Sequence, residues 1–258
     1  MMSLTLNFES AGNPNHPALI ILHGFFASSR NWRQIAEKLA ENYRVLVPDL
    51  RNHGASPQHS VMDYPSMTAD LVQFIDQQQL SQVSLLGHSM GGKLAMWFAF
   101  QHPAQLNKLI VADIAPVTYP HSFDRLINAL NALPLAQLSN RKQAELLLAE
   151  AIPELSYRQF LLQNLILENA QYRWRINLDF FRANASSIAG FPDTSQLCPY
   201  EQPALFLAGA NSNYVSANDI AVLFPQAIFR QIPDAGHWLH VQQPAAFISQ
   251  VLDFLDAH

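Results

Sequence analysis

The sequence Gly87-His88-Ser89-Met90-Gly91-Gly92 joins an apolar run, residues 83–86, to a helix-like run. A strand that turns at once into a helix must bend its backbone sharply, so small residues are needed two positions before and two positions after the serine. Gly87 and Gly91 meet this need. The pattern therefore predicts that Ser89 lies on a tight turn with its hydroxyl exposed as a nucleophile. The alternative is a tight turn in which a serine merely fits.

Short apolar runs alternate with helical patterns along most of the chain. The apolar runs cover residues 18–22, 45–47, 83–86, 109–112, 204–208 and 228–232. The helical patterns cover residues 32–41, 66–78, 90–101, 216–224 and 244–257. This alternation predicts βαβ units and an α/β fold, with a mostly parallel sheet flanked by helices.

Residues 117–185 interrupt this alternation and are predicted to be mostly helical. Apolar residues recur there at helical spacing, at Phe123, Leu126, Ile127, Leu130 and Leu133. We therefore expect residues 1–116 and 186–258 to form the core of the fold and residues 117–185 to form an inserted helical cap over a pocket above Ser89. The alternative is that these are ordinary core helices that take no part in substrate binding.

The composition excludes several classes of protein. The chain has 258 residues, 49% of them hydrophobic and 14% charged, which is typical of a globular protein with a large interior. The formal net charge of -5 offers no basic face for nucleic acid. Cys198 is the single cysteine, so no internal disulfide can form, and the first nine residues lack the features of a secretory signal. No apolar run reaches the length of a membrane span, and we predict a cytoplasmic protein.

Acyl transfer by a serine requires a base that takes the hydroxyl proton, a carboxylate that orients the base, and amides that bind the oxyanion. The base is expected on the loop after the last apolar run, where the sequence Gly236-His237-Trp238 stands. We predict His237 as the base, with His240 as the second choice. His88 and His23 lie in the turns themselves, where packing is the more natural role.

The orienting carboxylate has two possible positions. The common position follows residues 204–208, but Ser212 stands there, and a neutral hydroxyl cannot stabilise an imidazolium as a carboxylate can. Asp113 ends the apolar run 109–112. Because neighbouring strands lie about 4.8 Å apart, an acid on that strand can reach the same side of the imidazole. We therefore predict Asp113 as the acid.

Three other aspartates have local explanations. Asp219 fits a capping box at the start of the helical pattern 216–224. Asp234 is so close to His237 in sequence that reaching behind the ring would be awkward. Asp49 follows a strand, where it is expected to brace the turn at residues 51–54.

Two backbone amides are predicted to bind the oxyanion. Met90 follows Ser89 at the start of a helix, where an amide N–H is available to bind negative charge. The second donor should come from the loop after residues 19–22, where Phe25 stands. Phe25, Phe26 and Trp238 are also predicted to line the substrate pocket.

These motifs resemble the α/β-hydrolase family over essentially the whole chain. The resemblance is carried by His23-Gly24-Phe25, Asp49-Leu50-Arg51-Asn52-His53-Gly54-Ala55-Ser56, Gly87-His88-Ser89-Met90-Gly91-Gly92 and Gly236-His237-Trp238. Further stretches resemble the YbfF-type bacterial esterases and their mitochondrial relatives, namely Val111-Ala112-Asp113-Ile114-Ala115-Pro116, Trp174-Arg175-Ile176-Asn177-Leu178 and Gly209-Ala210-Asn211-Ser212-Asn213-Tyr214-Val215. In that subgroup the acid follows the sixth strand, which here corresponds to Asp113 and makes a serine at position 212 expected.

The resemblance implies a serine carboxylesterase that hydrolyses short- to medium-chain acyl esters, or acyl thioesters, through an acyl-enzyme. It implies no cofactor, and we predict no metal site. Dehalogenases and epoxide hydrolases of the family carry aspartate at the position of Ser89 and are therefore disfavoured. Lyases and carbon–carbon bond hydrolases share a serine triad, and they stay open as alternatives, as does a non-catalytic protein that binds a small ligand on the same fold.

Overall fold

The computed structural model describes residues 2–120 and 122–257. Its strands are β1 (Phe8–Ala11), β2 (Ala18–Leu22), β3 (Arg44–Pro48), β4 (Val83–His88), β5 (Leu106–Ala112), β6 (Leu165–Glu168), β7 (Gln171–Trp174), β8 (Ala204–Gly209) and β9 (Ala227–Ile232). Its α-helices are α1 (Arg33–Leu39), α2 (Tyr64–Gln77), α3 (Met90–Gln101), α4 (Asp124–Asn131), α5 (Arg141–Leu147), α6 (Leu155–Leu161), α7 (Leu178–Ala189), α8 (Ala217–Ile220), α9 (Leu239–Gln242) and α10 (Pro244–Leu255). Within the described residues, no helix has both the length and the apolar character needed to cross a membrane.

Seven of the described strands form one sheet, in the order β1-β3-β2-β4-β5-β8-β9. Strand β1 pairs antiparallel with β3, and the other pairs of this sheet are parallel. The predicted α/β fold with a mostly parallel sheet is confirmed. Because the carboxyl ends of parallel strands lie at one edge of a sheet, the loops that follow β2, β4, β5, β8 and β9 meet there.

Helices cover both faces of the sheet, which explains why its central strands are apolar throughout. In β2, Ile20 and Leu22 pack with α2 and α3 on one face, whereas Leu19 and Ile21 pack with α1 and α10 on the other. Strands β4 and β8 are buried along their whole length. Continuous apolar runs are expected of parallel strands that are covered on both sides.

The segment between β5 and β8 contains α4 to α7 and a hairpin formed by β6 and β7. We call residues 117–189 the insert, because the predicted boundary at residue 185 falls within α7, which continues to Ala189. The prediction of a mostly helical segment missed the hairpin. Its turn is formed by Asn169 and Ala170, both with positive φ, as a type I′ turn requires. Alanine stands where glycine would have marked such a turn in the sequence.

Two other elements differ from the sequence prediction. Strand β1 was not predicted, because Phe8–Ala11 is a half-exposed edge strand without an apolar run. The helix predicted over residues 216–224 is limited to α8, which ends at Ile220. Pro225 follows Phe224 in the sequence and disfavours a helical conformation at the residue before it, so the predicted helix cannot extend to its end.

Candidate active site

Ser89 lies between β4 and α3 at the carboxyl edge of the sheet. Its backbone has φ 53° and ψ -121°, a strained conformation for a residue other than glycine. A Cβ on Gly91 would lie 2.1 Å from the carbonyl oxygen of Leu22, and a Cβ on Gly87 would lie 2.2 Å from the carbonyl oxygen of Gly91. The turn therefore needs both glycines because backbone atoms pack against them.

Asp113 directly follows β5 and is completely buried. Its Oδ1 accepts a hydrogen bond from the amide of Gly209 at 3.0 Å. Its Oδ2 accepts one from Ser212 Oγ at 2.5 Å and one from His237 Nδ1 at 2.8 Å. Three donors thus satisfy a carboxylate that water cannot reach.

His237 connects Asp113 to Ser89. With the proton on Nδ1 donated to Asp113, Nε2 faces the serine hydroxyl, and 3.2 Å separates it from Ser89 Oγ. This is the tautomer that a general base requires. Tyr214 stacks on the imidazole, with ring centroids 4.2 Å apart and planes 25° from parallel. The structure therefore brings the three predicted residues, Ser89, Asp113 and His237, into one hydrogen-bonded series.

Ser212 contacts Asp113, a role that the sequence did not predict. It stands where the common form of the motif has its carboxylate, and its hydroxyl donates to Asp113 rather than replacing it. The amide of Tyr214 donates to Ser212 Oγ at 3.3 Å. The local sequence gives no signal for this role, because only the strand order of the folded sheet places the loop after β8 beside the end of β5.

The neighbouring histidines are engaged in packing. His23 Nε2 accepts a hydrogen bond from a backbone amide, and His88 Nε2 donates one to the carbonyl oxygen of His237 at 2.8 Å. The ring of His240 stacks on Trp32, with centroids 4.2 Å apart. Burial lowers the pKa of His23, His88 and His240, to about 3 in the case of His88. All three imidazoles are therefore neutral at pH 7.

The other aspartates considered from the sequence lie in different surroundings. Asp49 accepts hydrogen bonds from the amides of Ser29 and Ala55 and so braces the turn after β3. Asp219 accepts a hydrogen bond from the amide of Ser216 at the start of α8. Asp234 is exposed. In the described part of the chain, none of these carboxylates is hydrogen-bonded to His237, whereas Asp113 is.

The amides of Phe25 and Met90 lie on two loops beside Ser89. Met90 is the first residue of α3, so its N–H has no acceptor within the helix. A Cβ on Gly24 would lie 3.3 Å from the Cβ of Ser89, which shows that the loop carrying Phe25 packs against the serine. Across residues 2–120 and 122–257, the amide of Phe25 donates no hydrogen bond, whereas that of Phe26 donates to a histidine ring. Both predicted oxyanion donors are thus available.

A cavity of about 710 Å³ opens beside Ser89. Phe25, Phe26 and Trp238, which were predicted to line a pocket, all contribute to its wall. The insert adds further side chains to that wall, among them Phe123, Tyr157, Phe160 and Ile188. A cavity of this size with a largely apolar lining suits a small organic ligand.

A family model described as alpha/beta hydrolase fold matches residues 17–244. The chain belongs to the α/β-hydrolase family. This α/β-hydrolase is similar to the sn-1-specific diacylglycerol lipase ABHD11 of Danio rerio, with 40% identity over 95% of this chain and 80% of that protein. It is also similar to Esterase YbfF of Escherichia coli (strain K12), with 34% identity over 99% of this chain and 100% of that protein.

A solved structure named Marine microorganism esterase has the same fold. It superimposes on this α/β-hydrolase with a TM-score of 0.93 at 42% identity, covering 98% of this chain and 100% of that one. The resemblance to the α/β-hydrolases and to the YbfF-type esterases is confirmed. This α/β-hydrolase is a carboxylic ester hydrolase of the esterase and lipase type.

Proposed function

We propose that this α/β-hydrolase is a serine carboxylesterase that hydrolyses short- to medium-chain acyl esters through an acyl-serine intermediate. The observation that carries the proposal is the hydrogen-bonded series from Asp113 through His237 to Ser89, with separations of 2.8 Å and 3.2 Å. The series ends at the wall of a largely apolar cavity, where an acyl group can lie against the serine.

In the first half of the reaction, His237 Nε2 takes the proton of Ser89 Oγ while that oxygen attacks the acyl carbon. Asp113 keeps the other imidazole nitrogen protonated and stabilises the imidazolium that forms. The amides of Phe25 and Met90 donate to the carbonyl oxygen as its negative charge develops, and each such donor contributes about 3 kcal/mol. His237 then gives the proton to the leaving oxygen, which departs as the alcohol.

In the second half, a water molecule replaces the alcohol beside the acyl-serine. His237 Nε2 takes a proton from the water as its oxygen attacks the acyl carbon, and the same two amides bind the oxyanion. The bond from the acyl carbon to Ser89 Oγ then breaks, and His237 returns the proton to the serine. The carboxylic acid leaves and the starting state of the site is restored.

The lining of the cavity supports apolar acyl groups. Each methylene that moves from water to an apolar wall contributes about 0.8 kcal/mol. An acyl thioester presents the same carbonyl carbon to Ser89, so we include acyl thioesters among the candidate substrates. The name of the Danio rerio relative, sn-1-specific diacylglycerol lipase, supports adding a diacylglycerol to the panel of esters.

The first prediction concerns Ser89. We expect wild-type protein to hydrolyse p-nitrophenyl esters, with the highest kcat/KM for short to medium acyl chains, because Ser89 lies at the wall of a largely apolar cavity that can hold such a chain. Ser89→Ala should lose this activity. Initial rates measured from acetate to palmitate, on both proteins purified identically, test the prediction. A folded wild-type protein that binds an apolar ligand but hydrolyses neither ester nor thioester would instead be a ligand-binding protein.

The second prediction concerns the acid. Asp113→Asn should lower kcat by about 10⁴-fold, because an amide at this position favours the wrong tautomer of His237. Measurement of kcat on the best p-nitrophenyl ester tests it, and Asp219→Asn serves as the control, since Asp219 only caps a helix. A near-normal kcat in Asp113→Asn would show that the Asp113 carboxylate does not orient His237.

A further inference from the structure

Lys93 is a buried lysine on α3, one helical turn after Ser89, whose carbonyl oxygen accepts the Lys93 amide at 3.0 Å. Only 1% of its surface is exposed. Its Nζ donates to three backbone carbonyl oxygens, those of Val117 at 2.7 Å, Ala189 at 2.7 Å and Gly190 at 2.6 Å. Every N–H of the ammonium group therefore has a backbone acceptor.

The three carbonyl groups belong to the two connections between the insert and the sheet. Val117 lies where the chain enters the insert after β5, and Ala189 and Gly190 lie where it leaves α7. The two connections also touch directly, since the amide of Tyr119 donates to the carbonyl oxygen of Ala189 at 3.0 Å. One side chain of the sheet-packed helix α3 thus holds both ends of the insert together.

A buried lysine at this position is energetically unfavourable if its only role is to fill space in the core. Burial of an ammonium group is unfavourable unless its charge is balanced, and an apolar side chain would fill the same volume without that penalty. Within residues 2–120 and 122–257, no carboxylate forms an ion pair with Lys93, whose charge lies among carbonyl dipoles and 4.6 Å from the centre of the Tyr119 ring. Desolvation lowers the pKa of Lys93 to about 7, whereas the three acceptors favour the ammonium form, which alone has three donors.

A second set of contacts leads from this point to the imidazole. The hydroxyl of Tyr119 accepts a hydrogen bond from the amide of Ala115 at 2.9 Å and donates to the carbonyl oxygen of Tyr214. Tyr214 in turn stacks on His237. Lys93, Tyr119 and Tyr214 all line the cavity beside Ser89. The connections of the insert are therefore continuous with the wall against which a substrate would lie.

We propose that Lys93 is a positioning residue that joins the two connections of the insert and so fixes the insert over the cavity, which sets the acyl chains that the enzyme accepts. The proposal rests on the proposed esterase function for its kinetic readout. We expect an acetyl group to contact mainly the surroundings of Ser89 and a longer chain to reach side chains of the insert that line the cavity, such as Phe123 and Ile188. Loss of the three hydrogen bonds should therefore affect long acyl chains more than short ones.

The test is Lys93→Met, which keeps an unbranched side chain, one atom shorter than that of lysine, and removes its donors. We expect the ratio of kcat/KM for p-nitrophenyl octanoate to kcat/KM for p-nitrophenyl acetate to fall about tenfold, through a higher KM for the octanoate. A tenfold change corresponds to about 1.4 kcal/mol, which is the size expected for the loss of hydrogen bonds that hold the insert. Lys93→Arg, which restores charge and donors, should recover part of the loss. Amide hydrogen exchange at residues 117–119 and 189–190 should become faster in Lys93→Met.

Lys108→Met is the matched control. Lys108 also donates its Nζ to one backbone carbonyl, that of Ala257 at 2.8 Å, and its Nζ lies over the Phe254 ring, so both of these contacts are with the C-terminal end of the chain rather than with the insert. Its variant should match wild type in both measurements. If Lys93→Met also matches wild type in both measurements, the proposal is overturned. If Lys93→Met does not fold, Lys93→Gln, which is uncharged and can donate to at most two of the three carbonyl oxygens, is measured in the same way, and exchange at the two connections as slow as in wild type is the contradicting result.

The exchange measurement separates this proposal from the proposed function. Should the wild-type protein hydrolyse no ester, the esterase proposal fails, but the exchange rates at residues 117–119 and 189–190 still report whether Lys93 holds the two connections. Should esters be hydrolysed with equal preference by wild type and Lys93→Met, and the exchange rates also stay equal, the role of Lys93 fails while the esterase function stands.

Discussion

Ser89 and Asp113 both hold left-handed backbone conformations, with φ of 53° and 52°. Such a conformation costs about 1–3 kcal/mol at a residue other than glycine. Hydrogen bonds to adjacent strands hold both residues in place, since the amide of Ser89 donates to Ala112 at 3.1 Å and that of Asp113 donates to Leu207 at 2.8 Å. At this scale, strain at two strand ends is what directs a hydroxyl and a carboxylate toward the same imidazole.

The prediction at this scale is that Ser212→Ala lowers kcat about tenfold, because Asp113 loses one of three donors and a hydrogen bond to a charged group contributes about 1.5–3 kcal/mol. KM for the same ester should change little, since Ser212 contacts the acid rather than the cavity. Steady-state kinetics on one p-nitrophenyl ester test it. Ser195→Ala is the matched control, because Ser195 also donates to an aspartate, Asp193, but on the exposed surface. Equal kcat values in the two variants would show that the Ser212 hydroxyl does not support the acid.

The junction of β4 and α3 is the element on which the site depends. Gly91 leaves room for the backbone of β2, and β2 in turn carries the loop of Phe25 against Ser89. The geometry of the serine and the position of the Phe25 amide, the proposed oxyanion donor, therefore depend on the same close approach of two backbones.

We expect Gly91→Ala to lower the free energy of unfolding by about 3 kcal/mol or more, because its Cβ would lie 2.1 Å from the carbonyl oxygen of Leu22 and backbone cannot move aside as a flexible side chain can. Urea unfolding at pH 7.5 measures the change. Gly236→Ala is the control, since the nearest atom to its Cβ would be 3.5 Å away, and the expected change is within about 0.5 kcal/mol. A Gly91→Ala protein as stable as Gly236→Ala would contradict the packing explanation of the turn.

Buried histidines lie throughout the carboxyl edge of the sheet and influence the stability of the whole molecule. Burial lowers the pKa of His53 and of His88 to about 3, and it also lowers the pKa of His23 and His240. His53 is fixed from both sides, since its Nδ1 donates to the carbonyl oxygen of Arg51 and its Nε2 accepts from the amide of Phe26. The folded protein therefore resists a protonation that the unfolded chain accepts near pH 6.5.

This difference predicts that the protein loses stability in mild acid. Above pH 6.5 neither state binds the protons, so the stability is fully present, and it falls as the pH drops from 6.5 toward 3 because only the unfolded chain is protonated. His53 and His88 should each lower the free energy of unfolding by about 1.4 kcal/mol between pH 7.5 and 5.5. Urea unfolding at both pH values measures the loss, which should be smaller by about that amount in His53→Gln. Equal losses in the two proteins would show that His53 does not resist protonation in the fold.

Local sequence patterns determined the architecture and most of the candidate site. Each apolar run became a strand of the sheet, and α3 begins and ends where the pattern placed it, at Met90 and Gln101. Ser89 and His237 were predicted because each stands in a short motif at a strand end. Such signals need only a few consecutive residues, since periodic burial and tight turns act on neighbouring positions.

The tertiary structure decided which strand ends meet. Asp113 and Ser212 are 99 positions apart, and their hydrogen bond exists because β5 and β8 are neighbours in the sheet. From the sequence, Lys93 is recognisable only as a residue of a helix. Its hydrogen bonds to Val117 and Ala189 are visible only in the folded structure. The physical reason is that hydrogen bonds between distant positions depend on strand order and register. These arise from the packing of the whole chain, so the local sequence around each partner does not predict them.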